Sequence, residues 1–312
     1  MDFELTSRLS ISAWPRLPEG FRMLQDVKYV IVTPVRDEQR HIATTIAAVA
    51  SQTILPTEWI IVNDGSTDLT GSILAEHAAR FPWIHVIHRR NRGFRKSGGG
   101  VVEAFYDGYR AIQNDDWEFI VKLDGDLTFS ENYFEKCFHQ FRTEPRLGVG
   151  GGEIYHVSDT GMKLEANPRF HVRGATKIYR KACWEVIGGL WTAPGWDTID
   201  EVKANMLGWR THSFSDLRVL HHRPTGTADG LVSDSVKHGV VCHVSGYHPL
   251  FFLASCFRRL SKRPYIISSM AMCYGFLKAY ITHIPRVDDT GMIKYLRAQQ
   301  LRRLCGLETI WK

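Results

Sequence analysis

The sequence lacks the features of a secreted, disulfide-stabilised or membrane-spanning protein. Its six cysteines are scattered over 312 residues without a CxxC pair, so neither a disulfide framework nor a zinc cluster is expected. Asp2 and Glu4 stand where a signal peptide needs basic residues and an apolar run. Histidines and a proline interrupt residues 239–257, and the apolar segment 264–277 is too short to cross a bilayer. We therefore predict a cytoplasmic protein.

Basic charge is unevenly distributed along the chain. The formal net charge is +6, but the residues before position 257 are slightly acidic and eleven basic residues against three acids follow it. The basic residues are Arg258, Arg259, Lys262, Arg263, Lys278, Arg286, Lys294, Arg297, Arg302, Arg303 and Lys312. Aromatic and aliphatic runs alternate with them, as in amphipathic segments that lie on anionic membranes.

The pattern of predicted elements and this charge distribution together predict two regions. Residues 1–227 form the main domain, and residues 228–312 form a basic, amphipathic, helical tail that associates with an anionic membrane surface. We predict a location on the inner face of the cell membrane and no nucleic-acid partner. The alternative is a tail that forms a helical subdomain packed on the main domain.

Strand and helix patterns alternate through the first 121 residues. Apolar, β-branched runs predict strands at 29–32, 59–62, 84–87 and 119–121, and helical patterns cover 42–50 and 101–112. This alternation of strands and helices predicts an α/β fold with a doubly wound, mainly parallel sheet flanked by helices. Ligands of such sheets bind at the carboxyl ends of the strands.

Carboxylates follow three of these strands. Asp37 and Glu38 follow the first, Asp64 the second, and Asp124 and Asp126 the fourth. Because like charges at one sheet edge repel one another, we expect these residues to hold a cation or a ligand. In Asp-Gly-Asp at 124–126, two carboxylates can turn towards one Mg²⁺ or Mn²⁺ ion that bridges a diphosphate. The alternative is an ordinary polar turn.

The motifs around these acids resemble glycosyltransferase family 2. Residues 32–38 (VTPVRDE) are similar to its opening strand and loop, with Asp37 where Asn is usual, and residues 60–68 (IIVNDGSTD) to its most recognisable segment. Asp124-Gly125-Asp126 looks like its DxD motif. The loop 91–100 (NRGFRKSGGG) is also similar, with Gly99 where Asn is common.

The resemblance covers about two-thirds of the chain, residues 28–223, and implies a GT-A fold and inverting transfer from a nucleotide sugar. It implies that Pro34, Val35, Glu38 and Asp64 help to hold the nucleoside. Asp124 is then near the ribose or the metal, and Asp126 binds the metal. In the loop 91–100, Lys96 is a candidate phosphate contact, although basic loops are often only solvated.

An inverting transferase also needs a carboxylate that accepts the proton of the acceptor hydroxyl. Asp197 precedes Gly208-Trp209 by eleven residues, which is the family's spacing for this base, although Trp196 replaces the acid expected before it. Asp200 and Glu201 compete for the role, and all three acids are also suited to capping a helix N-terminus.

His221 and His222 end a predicted strand, and by the same resemblance one of them completes the coordination of the metal beside Asp126. We therefore predict an inverting glycosyltransferase that uses Mn²⁺ or Mg²⁺ and a nucleoside-diphosphate sugar. The expected acceptor is a saccharide or a lipid-linked saccharide of bacterial surface polysaccharide synthesis. The alternatives are a haloacid-dehalogenase-type phosphatase that uses DGDLT at 124–128 and a non-catalytic membrane-surface binding protein.

Overall fold

A computed structural model describes residues 26–94, 99–158, 161–223, 230–260 and 265–311. The strands are β1 (Tyr29–Val35), β2 (Glu58–Asn63), β3 (Ile84–His88), β4 (Phe119–Leu123), β5 (Leu127–Phe129), β6 (Leu147–Ser158), β7 (Gly161–Leu164), β8 (Thr176–Arg180) and β9 (Arg210–His221). The helices are α1 (Ile42–Ala50), α2 (Thr70–Arg80), α3 (Gly99–Arg110), α4 (Tyr133–Thr143), α5 (Lys181–Ile187), α6 (Trp196–Met206), α7 (Leu231–Val244), α8 (Pro249–Arg259), α9 (Ile266–Ile281) and α10 (Thr290–Leu304).

Strands β3, β2, β1 and β4 lie side by side in that order and are all parallel. Alternate residues of β1 face opposite layers. Tyr29 and Ile31 pack in a core with α1 and α4, whereas Val30 and Val32 pack in a core with α3 and α5. Burial on both faces explains why these strands are continuous apolar runs. The predicted doubly wound arrangement is confirmed for this half of the sheet.

The other half of the sheet is mixed. β8 runs antiparallel to β4 and β6, β5 runs antiparallel to β9, and β6 and β9 are parallel. Three glycines of β6, at 150–152, permit close packing because a Cβ atom on Gly151 would lie 2.5 Å from the Thr176 carbonyl oxygen. The α/β prediction is therefore correct, and the sheet is less parallel than the opening βα rhythm suggests.

The C-terminal helices α7 to α10 pack against the main domain through α6. Ile199 and Val202 of α6 share a core with Val244, Met292 and Leu296. Helices α7 and α9 approach closely at two glycines, since a Cβ atom on Gly239 would lie 2.0 Å from the Met272 carbonyl oxygen. The predicted domain boundary after residue 227 falls outside the described residues.

Two of these helices, α8 and α9, also carry an exposed apolar face. On α9 the side chains at 266, 270, 274, 277 and 281 recur on one side of the helix, and they are between 56% and 71% exposed. Leu250, Leu253 and Phe257 of α8 are exposed to a similar degree. We call these eight residues the apolar face. Within the described residues, no helix combines the length and apolar character required to cross a membrane.

Candidate active site

The Asp-Gly-Asp motif lies at the end of β4 and leads into β5. The Asp124 amide donates a hydrogen bond to the Ala175 carbonyl oxygen at 2.8 Å, which ties the motif to the start of β8. Gly125 lies against the end of β1, where an added Cβ atom would come within 2.6 Å of Val35 Cγ1. A side chain at this position would push the two strands apart, so glycine is required between the two acids.

His221 is brought to the motif by the pairing of β5 with β9. Leu127 pairs with His221 in this register, and His221 Nε2 lies 3.2 Å from Asp126 Oδ2. Ligand atoms of Asp124, Asp126 and His221 all lie within 4.8 Å of one another. His222 is turned away: its Nε2 lies 2.9 Å from Thr128 Oγ1, and its ring stacks on His41. Of the two histidines, the structure brings His221 to the acids.

The charges of this cluster suit a divalent cation. Burial tends to raise the pKa of Asp126, but its hydrogen bond with His221 and the nearby positive charges outweigh this effect and lower the pKa. Nδ1 of His221 is buried and has no hydrogen-bond partner among the described residues. Two carboxylates and an imidazole form a ligand set that Mn²⁺ and Mg²⁺ accept. The residues present therefore fit the predicted metal.

The residues predicted to hold the nucleoside lie along the adjoining strand ends. Glu38 is buried, its amide donates to Thr70 Oγ1, and its carboxylate accepts from Arg223. Pro34 is half-buried at the end of β1, whereas the Val35 side chain is buried in the core. The roles of all three in nucleoside binding stay predictions.

Asp64 already has two cationic partners in the structure. Its carboxylate accepts from Arg89 Nη1 at 2.6 Å and from Arg92 Nη2 at 2.5 Å. These arginines follow β3, so they hold the loop after β2 against the loop after β3. The nucleoside role of Asp64 stays a prediction, and that of Lys96 falls outside the described residues.

Asp37 has a structural role that the sequence did not reveal. Its φ angle is 54°, in the left-handed region that Asp and Asn tolerate better than most residues. Its Oδ1 accepts a hydrogen bond from the Thr67 amide at 2.8 Å, joining the loops that follow β1 and β2. Both requirements are also met by asparagine, the residue usual in the resembled motif.

The three acids at the start of α6 have different environments. Asp200 and Glu201 are fully buried and both accept from Lys177 Nζ at 2.9 Å. Asp200 also accepts from the Tyr179 hydroxyl, and Glu201 from the Val172 amide. These two carboxylates therefore anchor α6 to β8 and to the segment before it.

Asp197 is the acid that faces open space. A quarter of its side chain is exposed, and it lines a cavity of about 810 Å³ between α6 and the C-terminal helices. Burial tends to raise the pKa of Asp197, but His171, Lys177 and Arg173 outweigh this effect and lower it. The carboxylate is therefore deprotonated at neutral pH, as a proton acceptor must be.

Lys122, on β4, connects the Asp-Gly-Asp motif with the start of α6. Its ammonium donates to the Asp124 carboxylate and, at 2.5 Å, to the Gly174 carbonyl oxygen. It also lies 5.4 Å from the centre of the Trp196 ring. Sequence reasoning overlooked Lys122, although a lysine inside an otherwise apolar buried strand is itself a signal that a charge partner lies nearby.

A second overlooked chain of residues crosses the site. Glu165 pairs with Arg173 Nη2 at 2.9 Å and with His156 Nε2 at 3.0 Å. Arg173 Nη1 lies 3.6 Å from Asp197 Oδ2, and the His156 ring lies 5.4 Å from the His221 ring. The candidate base and the candidate metal ligand thus both contact side chains that Glu165 joins: Arg173 through an ion pair and His156 through a ring contact.

The chain is similar to several curated proteins over part of its length. Uncharacterized glycosyltransferase EpsJ of Bacillus subtilis is 30% identical over 141 residues, which cover 44% of this chain and 38% of EpsJ. Putative glycosyltransferase EpsH of the same organism is 33% identical over 204 residues, or 59% of this chain and 56% of EpsH. The match to Glycosyltransferase GlyA of Streptococcus pneumoniae covers 21% of that protein. The chain therefore spans well under two-thirds of these relatives.

Solved structures share the fold at low sequence identity. Mannosyltransferase PcManGT of Pyrobaculum calidifontis, solved with GDP-Man and Mn²⁺, has a TM-score of 0.52 and 15% identity, with 90% of this chain and 76% of that chain covered. TarS of S. aureus has a TM-score of 0.51 and 15% identity, with 84% of this chain and 45% of TarS covered. These likenesses show that the chain has a GT-A fold.

The profile described as Glycosyl transferase family 2 matches residues 30–188, about half of the chain. The matched region contains β1 to β8, the Asp-Gly-Asp motif after β4 and the two loops joined by Asp37. In a haloacid-dehalogenase-type phosphatase, DGDLT would follow the first strand, whereas here it follows the fourth. The chain belongs to glycosyltransferase family 2.

Proposed function

We propose that the protein is a metal-dependent, inverting glycosyltransferase that uses a nucleoside-diphosphate sugar. The observation that carries the proposal is the cluster of Asp124, Asp126 and His221, which lies at the carboxyl ends of the strands of a family 2 domain. PcManGT was solved with GDP-Man and Mn²⁺ and TarS with UDP-GlcNAc, so donors of this type suit the fold.

The three clustered residues would hold Mn²⁺ or Mg²⁺, which supplies positive charge to the diphosphate of the donor. Lys122 holds the Asp124 carboxylate in place from the side of α6. Asp197 accepts the proton of the acceptor hydroxyl as its oxygen bonds to the anomeric carbon and the bond from that carbon to the diphosphate breaks. A single displacement from the opposite face inverts the anomeric carbon.

Asp197 is the best placed of the three acids for this role. Asp200 and Glu201 are fully buried, and both oxygens of Asp200 accept hydrogen bonds from Lys177. Only Asp197 combines a lowered pKa with an open approach through the cavity. The start of α6 also favours its charged form through the helix dipole.

The C-terminal helices support a membrane location as part of the proposal. Eight large side chains of α8 and α9 form the apolar face, and basic residues are interspersed along this part of the sequence. Helices with this composition rest in the headgroup layer of anionic membranes without spanning them. A lipid-linked saccharide, as in surface polysaccharide synthesis, is the acceptor that such a location favours.

Substitution of the clustered residues tests the metal site. We expect Asp126→Ala to abolish Mn²⁺-dependent binding of UDP or GDP, whichever the wild type binds, because the diphosphate charge is then uncompensated. His221→Ala should weaken this binding by at least about tenfold, since it removes a ligand. Calorimetry with and without Mn²⁺ measures both effects.

His222→Ala is the matched control, because this neighbouring histidine contacts Thr128 and His41 instead of the acids. It should bind the nucleotide as the wild type does. Equal losses in the two histidine variants, or wild-type affinity in Asp126→Ala, would contradict the assignment of the metal ligands.

Asparagine substitutions at positions 197 and 200 distinguish the proposed base, Asp197, from Asp200, which anchors α6. Asp197→Asn should bind the donor normally and lose about 10²- to 10⁴-fold in turnover, because an amide cannot accept the proton. Asp200→Asn should mainly lower the unfolding temperature, since it breaks a buried ion pair with Lys177. Donor turnover and thermal unfolding are measured for each variant. Wild-type turnover in Asp197→Asn with a stably folded but inactive Asp200→Asn would move the base to Asp200.

Serine substitutions in the apolar face test membrane attachment. The wild type should co-sediment with anionic liposomes, and high salt should release only part of it, because salt screens charges but does not weaken apolar insertion. Met270→Ser/Tyr274→Ser/Leu277→Ser should reduce binding by well over tenfold, since each buried apolar side chain contributes about 1.5–3 kcal/mol. Leu69→Ser/Val186→Ser changes exposed apolar residues elsewhere and should bind normally. Equal binding by the two variants would refute the assignment of the membrane face.

A further inference from the structure

The cavity beside Asp197 is built by both parts of the chain. The segment 167–173 and the start of α6 form one side, and helices α7, α8 and α10 form the other. Gly195, immediately before α6, packs so closely against α7 that an added Cβ atom would lie 2.6 Å from Val241 Cγ1. We call this space the acceptor cavity, because it is the open approach to the candidate base.

The lining of the acceptor cavity is strongly basic. Asp197 is the only carboxylate among the described lining residues, whereas Arg173, Arg258, Arg259 and Arg303 all line it. Burial and the charge of Arg259 lower the pKa of His238, another lining residue, to about 4, so this imidazole is neutral at pH 7. Asp197, Tyr247 and Arg259 all line this one space. Such a cavity favours an anionic ligand.

An apolar groove adjoins the basic cavity. The groove has a volume of about 770 Å³ between α8, α9 and α10, and it shares Phe251, Arg258 and Arg303 with the acceptor cavity. Leu253, Phe257 and Met270 line the groove and also belong to the apolar face. The path from Asp197 therefore leads past the arginines and out to the apolar face.

Along this path the lining changes from the Asp197 carboxylate to arginines and then to apolar side chains. We infer that the acceptor is an amphiphile whose saccharide is joined through a phosphate to an alkyl chain. The saccharide hydroxyl lies at Asp197, the phosphate lies at Arg258 and Arg259, and the chain occupies the apolar groove. The inference rests on the proposed function and adds the chemistry of the acceptor and the residues that bind it. Arginine suits this position because its planar donors match phosphate oxygens.

The cavity lining gives two basic residues of the tail a role different from the one predicted from the sequence. Arg258 and Arg259 were predicted from the sequence to face the membrane surface, and both line the acceptor cavity. The apolar chain of a bound acceptor would lie where the groove opens onto the apolar face. An enzyme docked by this face could then take a phosphate-linked lipid directly from the membrane surface.

Binding of simple probes to the full chain tests this inference. We expect octyl phosphate to bind more tightly than either 1-octanol or inorganic phosphate, because only it fills both the groove and the arginine site. Calorimetry below the critical micelle concentration measures the three affinities. Equal affinities for octyl phosphate and 1-octanol in the wild type would overturn the phosphate site.

Two variants separate the head of the ligand from its chain. Arg258→Gln/Arg259→Gln should weaken octyl phosphate binding about ten- to a hundredfold and leave 1-octanol binding unchanged, since hydrogen bonds to charged groups are lost. Leu253→Asp should weaken the binding of both chain-bearing probes. Lys294→Gln removes a basic residue of α10 that does not line the cavity and should match the wild type. Wild-type affinity for octyl phosphate in the double arginine variant would overturn the inference.

Mn²⁺-dependent nucleotide binding distinguishes this inference from the proposed function. All of these variants keep the cluster of Asp124, Asp126 and His221, so each should bind UDP or GDP with Mn²⁺ as the wild type does. Loss of octyl phosphate binding with intact nucleotide binding supports the inference. Normal nucleotide binding together with a wild type that does not bind octyl phosphate would overturn the inference alone.

Discussion

The ammonium of Lys177 is fully buried and holds the start of α6 against β8. It donates to both carboxylate oxygens of Asp200, at 2.9 and 3.0 Å, and to the Asp197 carbonyl oxygen at 2.5 Å. Burial tends to lower the pKa of Lys177, but the neighbouring carboxylates outweigh this effect and raise it. Because an unpaired charge at this depth costs several kcal/mol, the helix start has little freedom to move. The position of Asp197 beside the cavity follows from this contact.

Cationic groups that pair with the carboxylates after the strands connect the fold with the proposed active site. Acids follow three of the parallel strands, and neighbouring cationic groups keep these acids from repelling one another. Lys122 pairs with Asp124, Arg89 and Arg92 pair with Asp64, and His221 lies beside Asp126. The proposed donor site thus lies where the parallel half of the sheet meets β5 and β9, and the C-terminal helices border the proposed acceptor cavity. The main domain carries the proposed donor site, and the packing of α6 against α7 joins this domain to the C-terminal helices.

The sequence predicted the parallel half of the fold well because each of its strands is an apolar run and the first three are each followed by a helix. It did not predict the mixed half, since antiparallel partners such as β5 and β9 are distant in sequence and leave no local pattern. It could not choose between His221 and His222, because only the register of β9 decides which one faces Asp126. The family's spacing favours Asp197 over Asp200 and Glu201, and the ion pairs of Lys177 with the latter two are visible only in the folded chain. Arg258 and Arg259 were similarly indistinguishable from the other basic residues of the tail.

The proposed coordination of the metal by His221 depends directly on the register in which β9 pairs with β5. Protein labelled with ¹⁵N-histidine, loaded with Mn²⁺ and a nucleoside diphosphate, would report this bond directly in pulsed electron paramagnetic resonance. We predict a hyperfine coupling between Mn²⁺ and one ¹⁵N nucleus that disappears when only position 221 is changed. A Mn²⁺–nucleotide complex bound to the protein without any histidine nitrogen coupling would contradict the account.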